Sequence, residues 1–109
     1  MRDVNVCTFT GRSTSDPELR FFEKDGENRT VCRFSLACNR NDNVCDFINI
    51  TCYGGLADTV SKYLTKGMRI TVVGRLQIDS YTNKDGVKIY TSEIVASDIV
   101  LPDKPKRAA

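Results

Sequence analysis

Two neighbouring segments, residues 30–39 and 46–53, alternate so regularly between apolar and polar side chains that they restrict the chain to a fold built on a β-sheet. In each segment every second residue is suited to a core. These core positions are Cys32, Phe34, Leu36 and Cys38 in the first segment and Ile48, Ile50 and Cys52 in the second. The polar loop 40–43 between them has a length typical of a β-hairpin, so we expect the two segments to pair.

The opposite face of residues 46–53 carries two aromatic rings among small polar side chains: Phe47, Asn49, Thr51 and Tyr53. Pairing of the two segments would bring Arg33 onto the same face. Because nucleobases of any identity can stack on exposed rings, this face is a candidate surface for single-stranded nucleic acid. The alternative reading is that the two rings pack under a loop or in a contact between subunits.

The rest of the chain predicts more strands and a single helix. A first strand is expected at residues 4–11, with strand character resuming at 18–22, and later strands at 68–80 and 87–96. After Gly54-Gly55 the period changes to a helical one. The apolar stripe of this helix is Leu56, Val60, Tyr63 and Leu64, and we expect Lys66 in its last turn and Gly67 at its end.

Gly74 interrupts the apolar side of the predicted strand 68–80, on which Leu76 and Ile78 are expected to continue. A glycine in mid-strand is typical of a sharp bend, as a small closed barrel requires. Three strands, a helix and two strands predict an all-β fold with one helix between strands 3 and 4. This is the pattern of the OB-fold, a five-stranded Greek-key barrel that binds oligonucleotides on its open face.

A second group of candidate residues lies around the turn 82–86. Tyr81, Lys84 and Lys88 would form a hairpin tip able to contact a phosphodiester chain, although Tyr81 could simply brace the turn and Lys84 could be a solvated charge. The residues predicted to bind DNA are Arg33, Phe47, Asn49, Thr51, Tyr53, Lys66, Arg75, Tyr81, Lys84 and Lys88.

Composition argues against an enzyme. The 109 residues suffice for one domain, and with no histidine the chain lacks the commonest general base and metal ligand. Asp46, Asp79 and Glu93 are the only strand carboxylates that a metal-dependent nuclease could use, and nothing in their spacing brings them together. We therefore expect no catalysis, no cofactor and no metal.

The five cysteines are an odd number, and no two form a C-x-x-C pair. Three of them, Cys32, Cys38 and Cys52, fall on apolar strand faces. Free cysteine in such a position behaves as a small hydrophobe. We expect reduced, mostly buried thiols rather than a disulfide or a zinc site.

Hydropathy suggests a cytoplasmic protein with no membrane partner. There is no apolar run of membrane-spanning length and no signal peptide. The 16 Lys and Arg residues against 14 Asp and Glu give a net charge of only +2, so any attraction to a polyanion depends on where the basic residues lie. We expect an OB-fold domain at residues 1–101 and a flexible basic tail at 102–109.

Six segments, in order over about residues 4–101, resemble bacterial single-stranded DNA-binding proteins. They are 11–12, 16–21, 34–37, 46–49, 63–67 and 90–95. The resemblance implies a non-catalytic protein that coats single-stranded DNA in replication, recombination and repair, usually as a homotetramer. It also implies a nucleoid-associated protein whose stacking aromatics are Phe47, Tyr53 and Tyr81.

Assembly as a tetramer, or alternatively a dimer, has some support from the residues themselves. An exposed first strand carrying Val4, Val6 and Phe9 could pair with its copy across a two-fold axis. The main rival interpretation is an OB-fold module that acts through protein contacts, such as a primosome component, with incidental nucleic-acid binding.

The chain departs from the family pattern in ways that affect binding and recruitment. The loop around Asn41 is short, residues 77–80 are not basic where well-known relatives are, and Gly55 stands where some have lysine. We therefore expect weaker and less salt-dependent DNA binding. The end at residues 106–109 lacks the family's acidic tip, from either truncation or a mobile-element origin, so recruitment of replication and repair proteins is not assumed.

Overall fold

A computed structural model describes residues 3–102. Within that range the chain forms six β-strands and one α-helix. In chain order these are β1 (Cys7–Ser13), β2 (Glu18–Lys24), β3 (Glu27–Asn41), β4 (Val44–Tyr53), α1 (Gly54–Tyr63), β5 (Arg69–Thr82) and β6 (Lys88–Val100).

Five of the strands close into a barrel. Strand β1 pairs with β5, β5 with β6, β6 with β4 and β4 with β3, and β3 returns to β1 through Arg12–Ala37 and Ser13–Leu36. Every pairing in this ring is antiparallel except β4–β6, which is parallel. The predicted OB-fold is confirmed, and the helix follows the third strand of the ring as expected.

Strand β2 lies outside the ring and pairs with the first half of β3. The turn between them has positive φ at Asp25 (54°) and Gly26 (78°), which suits a tight hairpin. Because β3 has 15 residues, its first half can carry β2 while its second half belongs to the barrel. Residues 18–22 therefore begin a separate arm of sheet beside the barrel.

The core lies inside the ring and under α1, which packs on β3 and β4. The alternation in β3 and β4 places Cys32, Phe34 and Leu36 inward, opposite Ile50 and Cys52. The other buried members of this cluster are Ala57, Val60, Leu64, Ile70, Val72, Ile94, Ala96 and Ile99. Burial of such side chains contributes about 1.5–3 kcal/mol each for those of Val, Leu, Ile or Phe size.

Gly74 lies at an irregularity in the β5–β6 ladder, where the register shifts between Val73 and Gly74. A Cβ atom at this position would collide with the carbonyl of Val95, so the close approach of β6 requires glycine. Beyond the bend β5 leaves the core, and the prediction that Leu76 and Ile78 continue the core face is wrong. They are 40% and 62% exposed because this part of the β5–β6 hairpin projects past the barrel.

Helix α1 ends at Tyr63, earlier than predicted. The N–H of Leu64 donates to the carbonyl of Val60 at 2.9 Å and the backbone then turns extended. Gly67, with φ 86°, belongs to the following turn, whose backbone N–H groups at Lys66 and Gly67 are held by Asp16 and Ser13. The expectation that Lys66 stands in the last helical turn is therefore wrong.

The five cysteines, all within the described range, are free. Cys32 and Cys52 are fully buried and face each other across β3 and β4. Cys7 and Cys38 are half-buried and pack against the core, and Cys45 is half-buried near the β3–β4 turn.

Two sequence expectations concern regions beyond the sheet. Helix α1, the one helix within residues 3–102, is not long and apolar enough to cross a membrane. The predicted basic tail, 102–109, lies outside the described residues apart from Pro102.

Candidate nucleic-acid interface

The outer face of β4 presents two rings to solvent. Phe47 is 69% exposed and Tyr53 is 46% exposed, with the exposed Asn49 between them. They point outward because Ile50 and Cys52, at the intervening positions, are fixed in the core. In this chain neither ring is sealed under a loop, so both keep surface on which a flat ligand could stack.

Tyr53 is supported by an aromatic neighbour that sequence reasoning missed. Phe22 of β2 meets it edge-on, with ring centroids 6.4 Å apart and an interplanar angle of 81°. Phe22 pairs with Arg29 of β3, and two residues further along β3 Val31 pairs with Tyr53 of β4. Phe22 and Tyr53 therefore lie on the same face of the sheet, on either side of β3. The sequence signal was Phe21-Phe22 itself, but which of the two faces Tyr53 depends on the hairpin register.

Thr51 does not belong to the exposed surface, contrary to the prediction. Its side chain is 1% exposed, and its hydroxyl donates a 2.6 Å hydrogen bond to Oε2 of Glu93 on β6. This bond crosses the parallel β4–β6 contact and satisfies the hydroxyl inside the protein. Burial and this bond give Thr51 a structural role in joining β4 to β6.

Arg33 lies where the sequence placed it, on the outer face of β3 directly opposite Thr51. It is exposed and lines two separate grooves. On its other side it pairs in register with Glu18 of β2. Arg33 is therefore a cation at the border between the two grooves.

The first groove, about 430 Å³, runs from Arg33 and Asn49 towards β6 and β5. Its lining includes four carboxylates, Asp16, Glu18, Asp79 and Glu93, against the single cation Arg33. A surface of this charge repels phosphate. The surface between Asn49 of β4 and Asp79 of β5 is therefore acidic.

The second groove, about 1070 Å³, lies between the β2–β3 hairpin and the start of α1. Its lining includes four cations, Arg20, Lys24, Arg29 and Arg33, against two carboxylates, Glu27 and Asp58. Tyr53 and Phe22 line the same groove. Apart from Arg33 and Tyr53, sequence reasoning singled out none of these groups, since their convergence depends on the position of β2 beside the barrel.

Side chains on β5 form a polar row beside the first groove. Arg75 donates to Oε1 of Gln77 at 2.9 Å, and Gln77 donates to Oδ2 of Asp79 at 3.3 Å. Tyr81 follows on the same face and is 57% exposed. The predicted cation Arg75 is present, but its row ends in a carboxylate before the ring is reached.

The predicted hairpin tip is divided between two faces. Tyr81 pairs with Ile89, so Lys88 and Tyr90 project to the opposite side, where Nζ of Lys88 lies 5.3 Å from the centre of the Tyr90 ring. Lys84 is exposed in the turn. Lys88 therefore does not share a surface with Tyr81, which corrects the prediction of a single finger.

Lys66 lies apart from the β4 face, in the turn between α1 and β5. Its backbone N–H donates to Oδ1 of Asp16 at 2.9 Å, and its side chain is exposed. Asp16 also lines the acidic groove. The structure thus brings Lys66 near that groove's rim rather than to the exposed rings.

The strand carboxylates considered for catalysis are engaged in separate contacts. Arg40 binds Asp46 through two hydrogen bonds, 2.6 and 3.2 Å, and these hold the pKa of Asp46 below its ordinary value. Glu93 accepts from Thr51 and Asp79 accepts from Gln77. Among residues 3–102, no three Cys, Asp or Glu side chains are grouped so that they could hold a metal ion.

A five-stranded OB barrel with exposed rings on a central strand and cations beside them defines a class of protein, the barrels built to carry an extended ligand across one face. Comparison with known proteins agrees. The model of the single-strand binding protein family matches residues 4–102. The chain belongs to the single-strand binding protein family.

The chain is also similar to individual proteins that are named single-stranded DNA-binding proteins. The chain is similar to single-stranded DNA-binding protein 1 of Clostridium acetobutylicum, with 34% identity over 96% of this chain and 99% of the relative. It is 38% identical to the single-stranded DNA-binding protein of Clostridium perfringens over 84% of this chain, and 42% identical to single-stranded DNA-binding protein 1 of Staphylococcus aureus strain MSSA476 over 88%. The matches cover only 61% and 64% of those two longer relatives.

Proposed function

We propose that the protein binds single-stranded DNA without sequence preference, and coats it during replication, recombination and repair without chemical change. The observation that carries the proposal is the exposure of Phe47 and Tyr53 on the outer face of β4. Each ring can stack on one base, and such stacking is worth about 1–3 kcal/mol per base whatever the base is. The relatives' names add support, since all three are called single-stranded DNA-binding proteins.

In this proposal Arg33 and Asn49 contact the strand between the two rings. Arg33 supplies a charge for a phosphate, and the side-chain amide of Asn49 offers both a donor and an acceptor to sugar or base. Tyr81 is a further stacking ring, with Lys84 near it in the turn. The interpretation as a protein-interaction module is not favoured, because the rings that it would need to cover are exposed in a chain of this family.

The experiment is a fluorescence titration. The chain has four tyrosines and no tryptophan, so emission excited at tyrosine wavelengths reports on Tyr53 and Tyr81 among few others. We expect oligo(dT) to quench this emission, and unlabelled duplex DNA to compete poorly because its bases are already stacked. Equal competition by duplex, or no quenching by oligo(dT), would overturn the proposal.

A second measurement tests the non-catalytic part. Labelled oligonucleotide incubated with the protein and Mg²⁺ should stay intact, since catalysis by metal-dependent nucleases requires carboxylates that converge on a metal ion. Shortened products that a protein-free control lacks would contradict this.

We also propose that the chain self-associates, as a homotetramer or a dimer. Val4 and Val6, which precede β1, are 91% and 68% exposed, and β1 pairs with β3 only at Arg12 and Ser13, so the edge of residues 7–10 is open on that side. Open strand edges favour pairing with another strand. Phe9 is half-buried against the core and is not part of this surface. Light scattering should give a mass two or four times that of the chain, and a mass of 12.2 kDa would contradict it.

A further inference from the structure

The groove between the β2–β3 hairpin and the start of α1 combines the features that a single strand needs beyond Tyr53. It is continuous with the exposed face of β4, because Tyr53 and Arg33 line it. It also holds an excess of two positive charges, in contrast to the acidic groove on the other side of Arg33. A polyanion lying on β4 therefore meets attraction in one direction and repulsion in the other.

Two arginines in this groove are available to exchange partners. Arg20 is paired with Glu18, and Arg29 lies 3.6 Å from Glu27, each within its own strand and with exposed side chains. Exposed ion pairs of this kind contribute little to stability. A phosphate can replace the carboxylate at small cost and accept two parallel N–H bonds from the guanidinium.

Phe22 has a different place in the groove. It contacts Tyr53 edge-on at 6.4 Å between centroids, a geometry that restricts how the Tyr53 ring can turn. A ring already held in one orientation loses less conformational entropy when a base stacks on it. Phe22 is thus a positioning residue for Tyr53.

The start of the helix is consistent with the same assignment. Gly54 and Gly55, the first residues of α1, line the groove, and the first turn of α1 contains no acidic residue. The positive end of the helix dipole is therefore not neutralised within that turn. The absence of side chains at Gly54 and Gly55 also leaves the floor of the groove open.

The geometry points to a continuation of the DNA-binding surface: the strand passes from Tyr53 into the groove of the β2–β3 hairpin, where Arg20 and Arg29 hold its phosphates and Phe22 fixes the Tyr53 ring. This inference rests on the proposed function and gives it a direction. From Tyr53 the single strand continues towards β2, on the side of Arg33 away from Asp79 and Glu93.

The first test compares two arginine substitutions of the same chemistry. Arg29→Gln removes a charge from the groove, and Arg69→Gln removes one from β5, where Arg69 lies in a separate hollow beside Thr10 and Arg12. We expect Arg29→Gln to weaken oligo(dT) binding about five- to tenfold. The slope of log affinity against log salt should also become shallower by about 0.7, the loss of one phosphate contact on a single strand. Arg69→Gln should leave the slope unchanged.

The second test is a double-mutant cycle on Phe22 and Tyr53. Phe22→Leu should lower affinity about threefold to tenfold with no change in salt slope, because it removes a ring contact and no charge. In the Tyr53→Leu background the same change should have almost no further effect, since the ring that Phe22 positions is gone. Urea midpoints of the variants separate these effects from loss of folding.

The outcomes distinguish this inference from the proposed function. If wild-type protein binds oligo(dT) and Phe47→Ala weakens it, but Arg29→Gln and Arg69→Gln behave alike, the groove assignment is wrong and the function stands. If Phe22→Leu weakens binding equally with and without Tyr53, Phe22 does not act through that ring. If the wild-type protein does not bind oligo(dT), both proposals fail.

Discussion

At the scale of single residues, exposure separates side chains that sequence alternation treats alike. Phe47, Thr51 and Tyr53 share one face of β4, yet Thr51 is buried beneath its neighbours while the rings remain open. The difference comes from Glu93 of β6, which binds the Thr51 hydroxyl. Alternation gives the direction of a side chain, but its accessibility depends on the strands that lie beside it.

Truncation of either exposed ring on β4 should weaken DNA binding and leave the fold intact. For Phe47→Ala and Tyr53→Ala we expect oligo(dT) affinity to fall by about 1–3 kcal/mol each, the energy of stacking one base. The control is Tyr90→Ala, which removes a ring that is 66% exposed on the opposite face of the β5–β6 hairpin from Tyr81. Fluorescence anisotropy of labelled oligo(dT) measures this, and an equal loss for Tyr90→Ala would refute the assignment.

The thiol of Cys52 should make the fold sensitive to alkali. Burial raises its pKa from 9.0 to about 12, and burial also raises the pKa of its neighbour Cys32. Between pH 9 and 12 the unfolded chain loses this proton while the folded chain keeps it, so the free energy of unfolding should fall as pH rises. Cys52→Ala should be less stable at pH 7, by about 1 kcal/mol for the lost volume, but should decline less steeply. Urea titrations at pH 7 to 11 test this, and parallel declines would contradict it.

At the scale of elements, β2 and the end of β5 determine where the grooves lie. Strand β2 stands beside the barrel and forms one wall of the basic groove, whereas β5 bends at Gly74 and carries Asp79 to the acidic one. Both are consequences of strand register. One hairpin thus favours a polyanion beside β4 and the other opposes it.

The bend in β5 should depend on the absence of a side chain at Gly74. Gly74→Ala would force a methyl group against the Val95 carbonyl, so we expect a loss of about 1–3 kcal/mol in the free energy of unfolding. Gly55→Ala is the matched control, because among the described residues nothing lies within 4 Å of a Cβ built there. It should be neutral or slightly stabilising in α1. A Gly74→Ala variant as stable as wild type would show that β5 and β6 can move apart there without loss of free energy of unfolding.

Elements were predictable from the sequence to the extent that local pattern determines them. The alternation of β3 and β4 and the role of Gly74 followed from residue order, and with them the OB-fold. The end of α1 could not be predicted from residue order. Asp16 and Ser13, about 50 residues away, bind the turn in which Lys66 and Gly67 lie. Likewise the apolar alternation continues through Leu76 and Ile78, although this part of β5 lies beyond the core, so alternation alone placed them in the core wrongly.

At the scale of the whole molecule, positive and negative side chains are separated into different grooves, while the net charge stays small. The net charge of the chain is only +2. The side chains that line the basic groove carry a formal charge of +2, and those that line the acidic groove carry −3. Such a molecule can still bind a polyanion, but along a narrow track. Base stacking must then carry a larger share of the affinity than phosphate contacts do.

This balance predicts a weak response to salt. The slope of log affinity against log salt should be shallower than for a relative with basic residues at the positions of 77–80, because fewer counterions are released. Asp79→Arg should steepen the slope by about 0.7 if the strand reaches β5, whereas Asp98→Arg on β6, outside both grooves, should not. Titrations of oligo(dT) at 50–300 mM salt measure it. A wild-type slope equal to that of the basic relative would contradict the prediction.

The parallel contact between β4 and β6 has a consequence for motion. In the described chain it joins the barrel through only two residue pairs, Ile50–Ile94 and Thr51–Val95, with the Thr51–Glu93 bond beside them. Transient opening of the ring should begin at this short seam, so its amides should exchange with deuterium sooner than those of the long β5–β6 ladder. A nucleic acid bound along β4 should make this opening rarer. Slower amide exchange at the β4–β6 contact would then report DNA binding without any label on the DNA.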